Sequence, residues 1–406
     1  MIFKLAWRNI WRNKRRSYLT IASIMFAVIL AIFMRSVQLG SYENMIENSV
    51  RFYTGHIQIH QKGYWDDKVI DNSMALDSHL LGTLHQIEGV TDVVPRVESF
   101  ILSAYGTKTR GSLIMGIDPI AEDGLTGLKD KLVEGEYLNI DDKAVLISEG
   151  LAKYLRMGIG DTLVLLGQGY HGSSAAAIYP IKGIVKFPVK VQNDQSVFLP
   201  VAEAQWLFDA ADLLTSVSIM VDQVDRVEGV NQTIKSQVDL ETLEVMDWQE
   251  LTPELLQAIE IDNLSSKFML YILYLVIGFG MLGTFMMMTA ERQYEFGVMI
   301  SIGMSRLKMQ IVIALEMLMM TFLALFIGIS ITLPFLIHLH NNPVKLTGDM
   351  AVAAENKGVE ALLRFSLNPE LFLNQAWAIF FMAFLLGFYP IRSIQKLKPV
   401  KAMRGE

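Results

Sequence analysis

The stretch FMLYILYLVIGFGMLGTFMMMTA, residues 268–290, decides the fold because its 23 residues include no charged side chain. A helix needs about 20 predominantly apolar residues to cross the hydrocarbon core of a bilayer. A helix at a protein surface would instead show a polar side at the helical repeat, whereas only two threonines and two tyrosines interrupt this run. The stretch therefore predicts a transmembrane helix.

Three other stretches are similarly apolar. Together with the first they predict four membrane spans, at residues 18–37, 268–290, 311–337 and 371–391. Of the 406 residues 52% are apolar and 19% are charged, whereas soluble proteins carry about 25% charged residues. The chain has no cysteine, which excludes disulfides and thiolate metal sites. This composition argues against a nucleic-acid-binding protein or a cytosolic enzyme and indicates a membrane protein.

Charge is distributed unevenly along the chain. Residues 1–17 contain six basic side chains and no acidic one, whereas residues 38–267 contain 34 acidic and 17 basic side chains. Because segments rich in lysine and arginine stay in the cytoplasm, we predict cytoplasmic termini and an acidic segment outside. The alternative is that the first span is a cleaved signal peptide. Its apolar stretch exceeds the usual length of about 7–15 residues, and no A-x-A site follows it.

The predicted fold is a membrane α-helical protein with four transmembrane helices and a large extracytoplasmic α/β domain inserted between the first and second spans. Apolar and basic side chains lie on opposite sides of the first residues, which predicts an amphipathic helix at the inner interface. The predicted segments are this interfacial helix (1–17), span one (18–37), the outer domain with stalk helices (38–267), span two (268–290), a cytoplasmic coupling loop (291–310), span three (311–337), a short outer loop (338–370), span four (371–391) and a cytoplasmic tail (392–406).

The outer domain shows a mixture of strand and helix patterns. Strand alternation covers residues 56–60 and 162–166, and helical patterns cover residues 78–87, 149–156 and 201–208. Turns are expected at five glycines, Gly89, Gly106, Gly111, Gly116 and Gly160.

Two further features of this domain are candidates for movement or recognition. Residues 167–177 are a small-residue segment between strand patterns and predict an exposed hairpin. The candidate partner-binding residues at its tip are Gly169, Tyr170, His171 and Gly172. Residues 36–51 and 252–267 are compatible with helix and continue spans one and two, so they predict a stalk that carries the domain.

No catalytic machinery is visible in the sequence. The chain has no Gly-Lys dipeptide and therefore no Walker A phosphate loop. His56 and His60 form one isolated pair and His338 and His340 another, and a metal site needs three or four converging ligands. We therefore expect surface histidines, no metal and no enzymatic activity of the chain itself.

Glu316 is the one acidic residue within a predicted span. Ionisable residues inside membrane segments are functional candidates because they are costly to bury. Near the cytoplasmic end of span three, this carboxylate could reach the headgroups or pair with Arg306 or Lys308. A role in coupling is the favoured interpretation, and a substrate or proton role is the alternative.

Three motifs resemble those of a known family. The first is ERQYEFGVMISIGMSR at residues 291–306, the second is LAWRNIWRNKRR at residues 5–16, and the third is LKPVKAMR at residues 397–404. They resemble the loop signature, the opening and the ending of the FtsX-like permease family, which includes MacB, LolC and LolE. The resemblance extends over nearly the whole chain.

The resemblance implies a type VII ABC permease that works by mechanotransmission. In this family two permease chains, identical or homologous, assemble with two ATPase chains, and the loop between spans two and three docks on the ATPase. ATP and Mg²⁺ would bind to the ATPase, and no cofactor to this chain. The implied coupling residues are Glu291, Arg292, Glu295, Phe296, Gly297, Ile300, Gly303 and Arg306.

The resemblance also implies a bacterial inner-membrane location and contact with membrane lipid, but it leaves the cargo open. Lipoprotein release or MacB-like efflux would handle lipoprotein, lipid-like or peptide cargo with a periplasmic carrier or adaptor. The hairpin at residues 167–177 lacks the longer proline-bearing loop expected of a carrier-binding hook. The alternative is a non-transporting FtsX-like regulator that moves an outer partner, such as a cell-wall hydrolase.

Overall fold

The computed structural model describes residues 2–12, 14–50, 54–75, 77–356 and 361–396. The chain divides into two compact units. The first, which we call the helical unit, comprises Met1–Glu43, Ile259–Lys345 and Leu363–Glu406. The second, which we call the sheet unit, comprises Asn44–Ala258 and Leu346–Leu362. The motif at residues 397–404 lies outside the described residues.

Helices and strands alternate in the sheet unit, whereas the helical unit is built from long helices. The helices are α1 (Ile2–Arg12), α2 (Lys14–Ser49), α3 (Ser78–Leu84), α4 (Pro119–Thr126), α5 (Glu149–Leu155), α6 (Lys190–Gln195), α7 (Val201–Leu207), α8 (Val227–Lys235), α9 (Trp248–Leu251), α10 (Pro253–Glu291), α11 (Gln293–Ser301), α12 (Arg306–Asn341), α13 (Asp349–Asn356), α14 (Pro369–Leu386) and α15 (Phe388–Lys396). The strands are β1 (Ile57–Gln61), β2 (Met74–Ala75), β3 (Val90–Tyr105), β4 (Lys108–Ile117), β5 (Leu132–Gly135), β6 (Val145–Ser148), β7 (Thr162–Gln168), β8 (Ser174–Val185), β9 (Ser196–Pro200), β10 (Leu213–Leu214), β11 (Ser216–Val221), β12 (Leu243–Asp247), β13 (Val344–Lys345) and β14 (Leu362–Leu363).

The four-span prediction is confirmed, because four helical segments are long and apolar enough to cross a membrane. These segments are α2, α10, α12 and the stretch Pro369–Lys396, which contains α14 and α15. All four extend beyond the predicted spans, and two of them do so by more than ten residues at one end: α2 continues to Ser49, and α10 begins at Pro253, where proline suits the first helical turn. Residues 36–49 and 253–267 of the segments predicted as stalks are therefore helical.

Helix α1 packs on α12 within the helical unit. It buries Ala6 and Ile10 but leaves Phe3, Trp7 and Trp11 exposed. An amphipathic helix with exposed aromatic side chains on one side suits the lipid headgroup region.

A ten-stranded mixed sheet forms the sheet unit. Its strand order is β12-β1-β11-β3-β4-β9-β6-β8-β5, and β7 pairs with β3 and β8. The pairs β4–β9 and β6–β8 are parallel, whereas the pairs of β3 with β4, β7 and β11 are antiparallel. The α/β domain between the first and second spans is thus confirmed.

Two sequence-based predictions about this unit are wrong. Gly111 and Gly116 lie inside β4 and mark no turn. At Gly116 a Cβ atom would stand 2.2 Å from the Ala204 Cβ, so glycine allows α7 to pack closely on the strand. His56 and His60 are buried rather than on the surface, because β1 is an interior strand between β12 and β11.

Candidate functional site

The chain makes two sharp turns between the second and third long helices. Helix α10 ends at Glu291, α11 covers Gln293–Ser301, and α12 begins at Arg306. The second turn depends on Gly303, whose φ of 108° lies in a region that side chains other than glycine rarely adopt. Ser305 then caps α12 by accepting a hydrogen bond from the backbone N–H of Lys308. A short helix is therefore held as a distinct element between two membrane-length helices.

Helix α11 has a buried side and an exposed side. Phe296 and Gly297 are buried, and Met299 and Ile300 pack partly against the core of the helical unit. On the other side Tyr294 is 61% exposed, and Ile302, just after the helix, is 81% exposed. The exposed apolar side chains are available to a partner, whereas Phe296 is not.

A buried ion pair fixes the start of α11 to α12. Arg292 Nη1 donates hydrogen bonds to both carboxylate oxygens of Glu316, at 2.8 and 2.7 Å. Only 3% of the Arg292 side chain and none of the Glu316 side chain is exposed. Two short hydrogen bonds to one carboxylate fix the orientation of the arginine relative to the glutamate. Such bonds are needed here, because they must offset the free-energy cost of removing both charges from water.

Two more arginines join this pair into a cluster. Arg12 of α1 donates to Glu295, which also accepts from Arg292 Nε at 3.0 Å. Arg16 Nη2 lies 3.5 Å from Glu316 Oε1, while Arg16 Nε and Nη1 are buried without a hydrogen-bond partner. Three arginines therefore face Glu295 and Glu316, and Glu291 also attracts Arg16. The cluster links α1, α2, α11 and α12.

The neighbouring arginines change the pKa of the Glu295 carboxyl. Partial burial acts to raise its pKa, but hydrogen bonds and attraction from Arg292 and Arg12 outweigh that effect and hold the pKa below its usual range. Glu295 is therefore ionised at neutral pH and attracts both arginines.

The structure brings only some of the predicted residues together. Glu295 and Arg292 join Glu316, but Glu291 and Arg306 are exposed, and Arg306 donates to the carbonyl oxygen of Gln395. The expected pairing of Glu316 with Arg306 or Lys308 is wrong. Both basic residues lie on the exposed first turn of α12, whereas Glu316 faces the start of α11.

The predicted hairpin is present between β7 and β8, which pair from Thr162↔Pro180 to Gln168↔Ser174. Its tip lies against the sheet unit rather than projecting freely. The backbone N–H of Tyr170 donates to the Phe208 carbonyl at 2.7 Å, and that of His171 donates to Asp71 Oδ1 at 2.6 Å. Gly169 is buried, while His171 and Gly172 remain exposed.

Two family models together match most of the chain. Residues 17–237 match the model described as MacB-like periplasmic core domain, and residues 267–399 match FtsX-like permease C-terminal. The chain belongs to the MacB- and FtsX-like family of ABC transporter permeases. The family resemblance predicted from the three motifs is confirmed.

Relatives of this permease are found in three different organisms. The lipoprotein-releasing system transmembrane protein LolC of Neisseria meningitidis is 20% identical over 72% of this chain and 71% of its own. An uncharacterized ABC transporter permease of Methanocaldococcus jannaschii is 21% identical over 100% of this chain and 98% of its own. The uncharacterized ABC transporter permease YknZ of Bacillus subtilis is 20% identical over 99% of this chain and 98% of its own.

Two solved structures of outer domains are also similar to this permease. The extracellular domain of the ABC-type transporter YknZ from Gram-positive bacteria has a TM-score of 0.34 and 14% identity, covering 47% of this chain and 99% of that one. The periplasmic region of MacB from Actinobacillus actinomycetemcomitans has a TM-score of 0.37 and 16% identity, covering 53% and 95%.

Family membership and the four apolar helices indicate a multi-pass inner-membrane protein. Among the described residues, no group of three or more histidine, aspartate or glutamate side chains is placed to hold a metal ion. The ion pair of Arg292 and Glu316 fixes the start of α11 to α12 through charge.

Proposed function

We propose that this permease couples ATP hydrolysis by a separate ATPase subunit to the handling of lipoprotein, lipid-like or peptide cargo outside the membrane. The observation that supports the proposal is that α11 has one exposed side and one side fixed to the helical unit. One side presents Tyr294 and Ile302 to a partner, and the other is held to α12 by the buried pair of Arg292 and Glu316.

This arrangement suits the transmission of force. A partner that binds the exposed side of α11 would move Arg292 together with the helix it precedes. Because Arg292 is bound through two hydrogen bonds to Glu316, α12 would move with it. Elements with discrete packed arrangements carry such coupling between distant sites.

Helix α10 provides the route to the sheet unit. It is a continuous helix of 39 residues from Pro253 to Glu291. At ~1.5 Å per residue it is about 58 Å long, longer than the ~30 Å hydrocarbon core of a bilayer. A displacement at Glu291, next to α11, would therefore be carried along one helix to its other end at the sheet unit.

We propose further partners from the exposed surfaces. Much of α10 is apolar and exposed, including Phe268, Leu275 and Phe279, and this surface suits lipid or a second permease chain, identical or homologous. The exposed hairpin tip at His171 and Gly172 is the proposed contact for a periplasmic carrier or adaptor. The basic segments that carry α1 and the chain's end are proposed to be cytoplasmic.

The coupling role is tested by Ile302→Glu in the reconstituted complex of permease and ATPase. We expect it to abolish the stimulation of ATPase activity by the permease, because a charge replaces an exposed apolar contact. The matched control is Ile120→Glu in the sheet unit, where isoleucine is 82% exposed compared with 81% at Ile302. The control should leave stimulation intact, and equal effects of the two variants would contradict the proposal.

A second experiment separates transport from the regulatory alternative. The complex in proteoliposomes is given ATP and a lipidated protein substrate, and release of the substrate from the bilayer is measured. ATP-dependent release supports the transport proposal. A cell-wall hydrolase that binds the sheet unit, with no cargo released, would favour the non-transporting regulator.

A further inference from the structure

A cavity of about 220 Å³ lies within the sheet unit, and none of its lining residues takes part in the coupling proposal. Its walls include Tyr64 and Lys68 from the segment after β1, Glu98 and Phe100 from β3, Leu113 from β4 and Gln195 from the end of α6. Charged, amide and aromatic groups therefore converge on one small space. Ligand sites have this composition: apolar walls with a few polar groups.

Glu98 supplies a buried acceptor that the chain does not satisfy. Its side chain is 6% exposed, and its Oε1 has no hydrogen-bond partner. The nearest guanidinium nitrogen, Arg96 Nη1, is 3.7 Å away, and Arg96 directs its Nε and Nη2 to Glu122 at 2.9 and 2.8 Å. Burial raises the pKa of Glu98 in spite of that neighbour. Buried polar atoms in folded proteins nearly always have a partner, so a donor from outside the chain is expected here.

Phe100 gives the cavity a flat apolar wall. The ring is 59% exposed even though it belongs to a strand inside the sheet. It lies across Gly111 of β4, where an added Cβ atom would be only 2.6 Å from Phe100 Cε1. The glycine therefore leaves room for the ring in this position. Leu113, directly opposite Phe100 on β4, extends the apolar surface.

The two ionisable side chains of opposite sign that line the cavity are both shifted toward their neutral forms. Burial raises the pKa of the Glu98 carboxyl and lowers the pKa of the Lys68 ammonium, so the cavity offers little to a charged ligand of either sign. Lys68 Nζ also lies 3.3 Å from the centroid of the Trp65 ring. The cavity is therefore suited to an uncharged group that donates hydrogen bonds along one edge and presents an apolar face.

We propose that this cavity binds one pyranose ring of a saccharide, with a hydroxyl group donating to Glu98 Oε1 and the C–H face of the ring against Phe100. Gln195 lines the same space and provides a second polar contact. A pyranose combines an apolar face with a hydroxyl-bearing edge and is small enough for a cavity of about 220 Å³. The sheet unit would then bind a carbohydrate in addition to any role in coupling.

The test uses the full-length permease purified in lauryldimethylamine oxide, because detergents with sugar headgroups would compete. Saturation-transfer difference NMR measures the binding of glucose and N-acetylglucosamine. We expect transfer to the ring protons, with affinity reduced at least about tenfold by Glu98→Leu through the lost hydrogen bond. Phe100→Ala, at an exposed position, should have a similar effect and guards against a folding defect in the first variant.

The matched control is Leu102→Ala. Leu102 is 51% exposed, lies two residues along β3 from Phe100 and is outside the cavity lining. Binding should be unchanged in this variant. A tetrasaccharide of N-acetylglucosamine that binds more tightly than the single sugar identifies a glycan strand as the source, and equal affinity identifies a free sugar. Absence of transfer from both sugars, or equal loss in all three variants, would overturn the proposal.

Discussion

At the scale of single residues, the position of α11 depends on one carboxylate. Glu316 is fully buried and accepts two hydrogen bonds from Arg292, while Arg16 approaches it only to 3.5 Å. The two arginines are therefore unequal partners. Arg292 donates three hydrogen bonds through Nε and Nη1, whereas Arg16 keeps two buried nitrogen atoms without a hydrogen-bond partner.

The difference between the contacts of Arg292 and Arg16 predicts how substitutions change the free energy of unfolding. We expect Glu316→Leu or Arg292→Met to reduce the free energy of unfolding by about 3–5 kcal/mol, because each takes away the shortest ionic hydrogen bonds of a buried charge. The double variant Arg292→Met with Glu316→Leu should lose less than the sum of the single losses. Unfolding of the purified permease in SDS, followed by tryptophan fluorescence, measures these differences.

Arg16→Met is the control for this cycle. It removes a distant charge contact together with two unsatisfied nitrogen atoms, so we expect a change of less than about 1 kcal/mol. The argument fails if Arg16→Met destabilises as much as Arg292→Met, or if the losses at Arg292 and Glu316 are simply additive.

At the scale of elements, the sheet unit depends on the close contact between α7 and β4. Gly116→Ala would place a Cβ atom 2.2 Å from the Ala204 Cβ and 3.3 Å from the Val97 Cβ. We expect a loss of about 1–3 kcal/mol, because the helix must shift away from the strand. Thermal unfolding of the purified full chain measures the loss.

Gly229→Ala is the corresponding control in α8. Nothing lies within 4 Å of a Cβ atom at Gly229, the third residue of the helix. Alanine favours helix over glycine, so we expect a gain of about 0.5–1 kcal/mol. Similar losses at Gly116 and Gly229 would contradict the close-packing explanation.

Elements also set the limit of what the sequence could predict. The apolar runs and the strand alternation identified the long helices and β1, because these patterns report which side chains avoid water. These patterns could not show that β1 lies inside the sheet, because the order of strands in a sheet does not follow from the local sequence. The interior position of β1 buries His56 and His60. The family resemblance likewise implied a coupling role for Phe296, and a local motif could not show that tertiary packing buries this side chain.

The pairing of Arg292 with Glu316 was missed for a related reason. Spacing along one helix suggested Arg306 or Lys308, but the true partner precedes α12 by a turn and a short helix. One signal could have found it: the arginine directly after an apolar span is a natural partner for the one acid within a span.

At the scale of the whole molecule, two long helices join the helical unit to the sheet unit. Both α2 and α10 begin in one unit and end in the other. The central claim is that α11 receives force on the cytoplasmic side and that the sheet unit responds on the outer side. This claim requires the two to lie on opposite sides of the membrane, as the distribution of basic and acidic residues predicts.

The chain has no cysteine, so single cysteines introduced by substitution report this arrangement without interference. Ile302→Cys and Ile120→Cys place a thiol at equally exposed positions beside α11 and in the sheet unit. In cells that lack the ATPase subunit, which would otherwise cover Ile302, and whose outer membrane is permeabilised, a membrane-impermeant maleimide should label Ile120→Cys and leave Ile302→Cys unlabelled until the inner membrane is broken. Labelling of both positions in intact spheroplasts, or of neither, would contradict the account.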